Sequence, residues 1–169
     1  SRLILLAAHR RENLGEPMRE MFRAIRRIVD ETPDIKVIYP MHKNPAVREM
    51  ARACFGGQER IHMIEPLDVL DFHNVMAHAY LIMTDSGGIQ EEAPALGKPV
   101  LVMRDTTERP EGVVAGTLKL VGTDENTIYA AVRELLTDPA AYHEMEHAVN
   151  PYGDGHASRY IADILAREL

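Results

Sequence analysis

Short unbroken apolar runs alternate along the chain with longer segments in which apolar residues recur every three or four positions. The runs Leu3 to Ala8, Ile35 to Tyr39, Ile61 to Ile64, Tyr80 to Met83, Pro99 to Met103 and Leu118 to Val121 are too short for helices and read as buried strands. Between them lie amphipathic segments. Glu16 to Glu31 places Met18, Met21, Phe22, Ile25, Ile28 and Val29 on one helical face. Pro45 occupies the first helical position before Ala46 to Cys54, where its missing N–H costs nothing. Further helices are predicted over Asp68 to Ala77, Ser86 to Leu96, Asp124 to Leu136 and Ala157 to Leu169.

Strands that are apolar at nearly every position need cover on both faces, and their alternation with helices predicts an α/β parallel sheet with helices on both sides. In such sheets ligands bind beyond the carboxyl ends of the strands. Those positions hold His9-Arg10-Arg11-Glu12-Asn13, Met41-His42-Lys43-Asn44, Asp85-Ser86-Gly87-Gly88 and Arg104 to Arg109, so the chemically rich loops converge on one edge. The 169 residues show no internal repeat, low-complexity stretch or linker, and predict one domain over 1–169.

Composition narrows the partners. With 19 Lys and Arg against 26 Asp and Glu, a net charge of −7 argues against nucleic acid or an anionic membrane surface but leaves room for a small phosphorylated ligand. No apolar run approaches the roughly 20 residues that span a bilayer, and no leader is visible. The single cysteine, Cys54, cannot form an internal disulfide, which fits a cytoplasmic protein.

The richest loop is Thr84-Asp85-Ser86-Gly87-Gly88-Ile89-Gln90-Glu91-Glu92. Asp85 or Ser86 is expected to cap the helix that follows, and the two glycines allow a ligand close to the backbone. A helix N-terminus fed by such a turn suits phosphate, because free N–H groups and the helix dipole favour an anion. Glu92, a turn or so further on, suits hydrogen bonding to sugar hydroxyls.

Five runs in order carry a family resemblance: His9 to Asn13, His42-Lys43-Asn44-Pro45, Thr84 to Glu92, Gly97-Lys98-Pro99-Val100, and Arg104-Asp105-Thr106-Thr107-Glu108-Arg109-Pro110-Glu111, with Asn150 to Gly155 before the last helix. Together they resemble the C-terminal half of the non-hydrolysing UDP-N-acetylglucosamine 2-epimerases. The resemblance implies a Rossmann-like doubly wound domain, one half of a glycosyltransferase-B type two-domain enzyme that interconverts UDP-GlcNAc and UDP-ManNAc. It implies elimination of UDP across C1 and C2 and its re-addition, with no cofactor and no metal, in an enzyme that is a homodimer at full length. It assigns Ser86, Gly87 and Gly88 to the diphosphate, Glu92 to the ribose, Phe72 and the backbone near Leu67 to the uracil, and His9 and Arg109 to the phosphates, His9 as the catalytic group. Leu67 stands where some relatives have glutamine, so a side-chain hydrogen bond is lost there. Arg10 and His42 match positions used for a second, regulatory UDP-GlcNAc.

The same resemblance places the proton-transfer carboxylates in an N-terminal domain. Ser1-Arg2 reads as a cut, so the isolated chain is expected to bind UDP or UDP-GlcNAc without turnover. Two other readings share these features: a UDP-sugar glycosyltransferase domain, and a non-catalytic Rossmann-like module. His143-Glu144-Met145-Glu146-His147 fits the H-E-x-x-H zinc pattern, but it follows the last strand and is expected to be a chance match on a polar surface helix. Ser86 lacks the glycine two residues earlier that a nucleophile elbow needs.

Overall fold

A computed structural model describes residues 1–168. Its six strands are β1 (Arg2–Ala7), β2 (Ile35–Pro40), β3 (Ile61–Ile64), β4 (Leu81–Thr84), β5 (Val100–Val102) and β6 (Leu118–Leu120). They form one sheet in the order β3-β2-β1-β4-β5-β6, and every neighbouring pair is parallel. This is the doubly wound order in which the strand sequence reverses between β1 and β4.

Eight helices flank the sheet among the described residues: α1 (Glu16–Glu31), α2 (Pro45–Phe55), α3 (Val69–His78), α4 (Gly87–Glu92), α5 (Pro110–Ala115), α6 (Glu125–Thr137), α7 (Pro139–Glu146) and α8 (Ala157–Glu168). The last falls where the sequence predicts a helix over Ala157 to Leu169, of which Leu169 lies outside the described residues.

The pleat explains why the strands are apolar throughout. Successive residues face opposite sides, so Ile4 and Leu6, Leu81 and Met83, and Leu101 and Met103 enter the core under α1, α2 and α6. Leu5, Ile82, Val100 and Val102 enter the second core with Met76 of α3 and Ile89 of α4. The α1 face is buried as its periodicity predicts, with Ala24 added to the six expected positions. Phe22, Tyr39 and Phe55 cluster beneath it, with ring centroids 4.8 to 6.2 Å apart.

The structure departs from the sequence reading in three places. The helix expected over Ser86 to Leu96 is α only to Glu92 and continues as a 3₁₀ turn over Ala93–Leu96, because Pro94 has no N–H to donate. The short α5 was not expected. Neither Asp85 nor Ser86 caps α4 with its side chain. Asp85 faces the other way, into the loop after β1.

Candidate functional site

Two loops meet at the point where the strand order reverses. Residues 8–14 leave β1, and residues 85–88 leave β4. Asp85 joins them: its side chain is fully buried, and its carboxylate accepts the backbone N–H of His9 at 3.1 Å, that of Arg10 at 3.0 Å and the amide of Asn13 at 3.1 Å. His9 Nδ1 lies 3.1 Å from Asp85 Oδ1. Thr84 adds a second tie, its hydroxyl donating to Ala7 O and accepting Ser86 N–H, both at 2.9 Å. Tyr39 donates to Ala8 O at 2.8 Å from below.

The Asp85 contact raises the pKa of His9, against burial and the nearby positive charge of Arg10, which lower it. Burial pushes the Asp85 carboxyl up, but His9, the two backbone N–H groups and Asn13 together hold it below the ordinary carboxylate value. The raised His9 value contributes stability that is fully present below about pH 6.5 and is lost as pH rises through the folded value. The lowered Asp85 value contributes stability present above about pH 3.9 and lost as pH falls through the folded value. The pair therefore stabilises the fold most between about pH 4 and about pH 6.5.

Beside His9 opens a cavity of about 430 Å³ lined by His9, Met41, His42, Lys43, Leu67, Phe72 and Ile89, among others. That size and its largely apolar wall suit a planar base. Phe72 is half-buried, packed against the second core while lining the cavity. Its helix is positioned by Asp68, which caps α3 by accepting the N–H of Asp71 at 2.8 Å. The His42 ring stands edge-on to His9, with centroids 5.7 Å apart. Its Nδ1 accepts the N–H of Asn44 at 3.2 Å, while Asn44 Oδ1 caps α2.

Around the start of α4, Glu92 lies close to Gly88 and pairs with His73 of α3 at 2.9 Å. The space over Gly87 is taken by Glu108: a methyl group there would come within 2.5 Å of Glu108 Oε1. Arg10 at 3.2 Å and Arg104 at 2.7 Å hold that carboxylate, and Arg104 is the main reason its pKa is lowered. Arg109 pairs with Glu91 rather than with Glu108 or Glu111 side chains. His9, His42, Leu67 and Phe72 thus share one cavity with Ile89 of α4, whereas Ser86, Gly87, Gly88, Glu92 and Arg109 are not part of its wall.

The sequence reading assigned no part to Asn13, Gln90 or Thr107. Gln90 Oε1 accepts the Thr107 hydroxyl at 2.5 Å, and Thr107 Oγ1 accepts Arg109 N–H at 3.0 Å, fixing the loop after β5 to α4. The signal available was Gln90 on a buried helix face, and polar residues in the segments that follow β1 and β5. His143, Glu146 and His147 do come together, with ligand atoms within 4.8 Å of one another. They lie at the amino edge of the sheet, since Tyr142 of the same helix donates to Tyr80 O just before β4. No described helix is long and apolar enough to cross a membrane.

Sheet order and crossover define a doubly wound, Rossmann-like α/β domain, one half of a glycosyltransferase-B type arrangement. The family profile described as UDP-N-acetylglucosamine 2-epimerase matches residues 1–166, and the chain belongs to that family. A Bacillus subtilis UDP-N-acetylglucosamine 2-epimerase is 65% identical over 97% of this chain and 43% of its own length. The S. aureus MnaA-UDP co-structure matches with a TM-score of 0.95 and 55% identity, over 99% of this chain and 46% of that one. A Neisseria meningitidis UDP-GlcNAc 2-epimerase bound to UDP-GlcNAc matches at 0.93 and 44% identity, over 99% and 45%. The chain thus spans less than half the length of these relatives.

Proposed function

We propose that this chain is the UDP-binding half of an enzyme that interconverts UDP-GlcNAc and UDP-ManNAc. The observation that carries the reading is the convergence of His9, the Asp85 to Gly88 turn and the Phe72 cavity at the strand-order reversal, in a chain whose S. aureus and N. meningitidis relatives are seen with UDP and UDP-GlcNAc. The uracil enters the cavity against Phe72 and Leu67. Glu92 takes the ribose hydroxyls, and the diphosphate lies along Ser86, Gly87 and Gly88, taking the place of the Glu108 carboxylate. Arg109 exchanges Glu91 for a phosphate oxygen.

In the reaction a base removes the C2 proton, the C1–O bond breaks, and UDP departs with that electron pair to leave a glycal. A proton then reaches C2 from the opposite face and a UDP oxygen rebuilds the bond at C1. The imidazolium of His9 donates to the departing phosphate, where charge develops. Base and acid come from the other half of the two-domain protein, a cytoplasmic homodimer that uses neither metal nor nicotinamide, and this half alone binds UDP without turnover.

Calorimetric titration of the chain with UDP tests the reading. Binding is expected, and Ser86→Trp or Glu92→Ala is expected to weaken it at least about tenfold, the equivalent of ~1.4 kcal/mol. A folded chain with no UDP binding at millimolar ligand sinks the proposal. In a two-domain protein carrying this half, deuterium from solvent is expected at C2 of recovered UDP-GlcNAc. Its absence alongside sugar transfer would mark a glycosyltransferase.

Arg10 and His42 flank the same edge, and a second UDP-GlcNAc there would take Arg10 from Glu12 and Glu108. Arg10→Ala and His42→Ala are expected to flatten a sigmoidal substrate dependence. Unchanged cooperativity in both variants removes the regulatory role.

A further inference from the structure

We propose that Asp85 is a positioning residue for His9: with Asn13 it holds the imidazole so that Nδ1–H points inward and Nε2 faces the cavity, making the Nε2 proton the one a ligand anion meets. The role toward UDP rests on the function proposed above, whereas the orientation of His9 does not.

A buried carboxylate costs several kcal/mol in desolvation unless hydrogen bonds offset it. Asp85 is fully buried. An ionised carboxylate only accepts hydrogen bonds, and the groups around it are donors: His9 N–H, Arg10 N–H and the Asn13 amide. Those three already close the loop after β1. The imidazole is an additional partner, 3.1 Å away through Nδ1. Because the carboxylate cannot donate, Nδ1 must carry a proton in either charge state of the ring, which leaves Nε2 as the titrating atom.

Position adds to this. Asp85 immediately precedes Ser86-Gly87-Gly88, so one side chain ties the imidazole to the turn that the proposed diphosphate occupies. The other groups facing His9 are differently engaged. Arg10, on the same loop, is held by Glu12 and Glu108. His42, from the loop after β2, stands edge-on with its Nδ1 accepting from Asn44. Lys43 lines the cavity. Tyr39, from β2, spends its hydroxyl on Ala8 O, and burial pushes its pKa up, so it stays a donor. Among these groups, Asp85 is the hydrogen-bond partner of the ring.

Nitrogen NMR of the ¹⁵N-histidine-labelled chain tests the orientation without any ligand, with His9→Gln assigning the signals. Nδ1 of His9 is expected to keep its proton through the titration while Nε2 gains and loses one, with a midpoint above about pH 6.5. Asp85→Asn is expected to lower that midpoint by about one unit, a tenfold change in proton affinity, with the remaining histidines unmoved. Asn13→Ala keeps the carboxylate and is expected to keep Nδ1–H. A His9 whose Nδ1 titrates instead, or whose midpoint ignores Asp85→Asn, overturns the proposal; should Asp85→Asn fail to fold, the wild-type assignment decides alone.

The second arm is UDP affinity against pH. It is expected to weaken as pH rises through the His9 midpoint, and the profile is expected to shift with that midpoint in Asp85→Asn. Ionisation of UDP itself is the same for both proteins and cancels in their ratio. A profile indifferent to the midpoint overturns the anion-facing half of the proposal. The expected NMR behaviour without UDP binding keeps the positioning role and removes the UDP reading instead.

Discussion

In a two-domain protein carrying this half, His9→Gln is expected to lower kcat by about 10² to 10³, with a much smaller change in KM. The size follows from what the donor does. UDP already carries charge in the ground state, but the oxygen that leaves C1 gains more as the bond breaks, and a fixed donor aimed at that oxygen favours the transition state over bound substrate. Glutamine keeps a polar N–H near the same place while losing the positive charge. Because Asp85 raises the His9 pKa, the wild-type rate is expected to fall as pH rises through a value above about 6.5. The glutamine variant is expected to lose that limb. A rate profile of His9→Gln that matches wild type in height and shape would remove His9 from the chemistry.

The contrast between Asp85 and the strands shows what a sequence can and cannot disclose. The strands were legible because a strand covered on both faces must be apolar at every position, a local property. Their parallel pairing followed from the helices between them. Asp85 was read locally too, as a cap for the helix it precedes. Its actual partners, His9, Arg10 and Asn13, lie 72 to 76 residues away in sequence, and no local periodicity encodes them.

The family motifs put Asp85 and Asn13 in the right runs without saying that they touch. α5 was missed for a different reason. Pro110-Glu111-Gly112-Val113-Val114-Ala115 has a glycine mid-helix and two β-branched residues, poor local helix formers. Gly112 is there for packing: a Cβ would come within 2.4 Å of Leu118 Cδ1 and 2.5 Å of the Tyr152 hydroxyl. Tertiary crowding overrides propensity at that position. Arg109, at the start of the same helix, pairs with Glu91, a contact 18 residues apart that no local pattern discloses.

Phe22→Ala is expected to destabilise the chain by about 3–5 kcal/mol, a large part of the roughly 5–15 kcal/mol typical of a domain. Phe22 is fully buried and lies between Tyr39 and Phe55, with centroids 5.6 and 4.8 Å away. Removing the ring forfeits its burial and leaves a hole bounded by two other rings, which cannot both move into it without leaving their own contacts. At a urea m-value of about 2 kcal/mol/M, the unfolding midpoint should fall by on the order of 2 M. Phe22→Leu keeps most of the volume and should lose less than half as much. The site should feel the change as well, because Tyr39 donates to Ala8 O, one residue before His9. A Tyr39 ring free to shift relaxes that bond, so the His9 signals in the folded fraction of Phe22→Ala should broaden while those of His143 and His147, at the opposite edge, stay sharp. A loss below about 1 kcal/mol would show that this cluster collapses around the missing ring far more readily than close-packed interiors do.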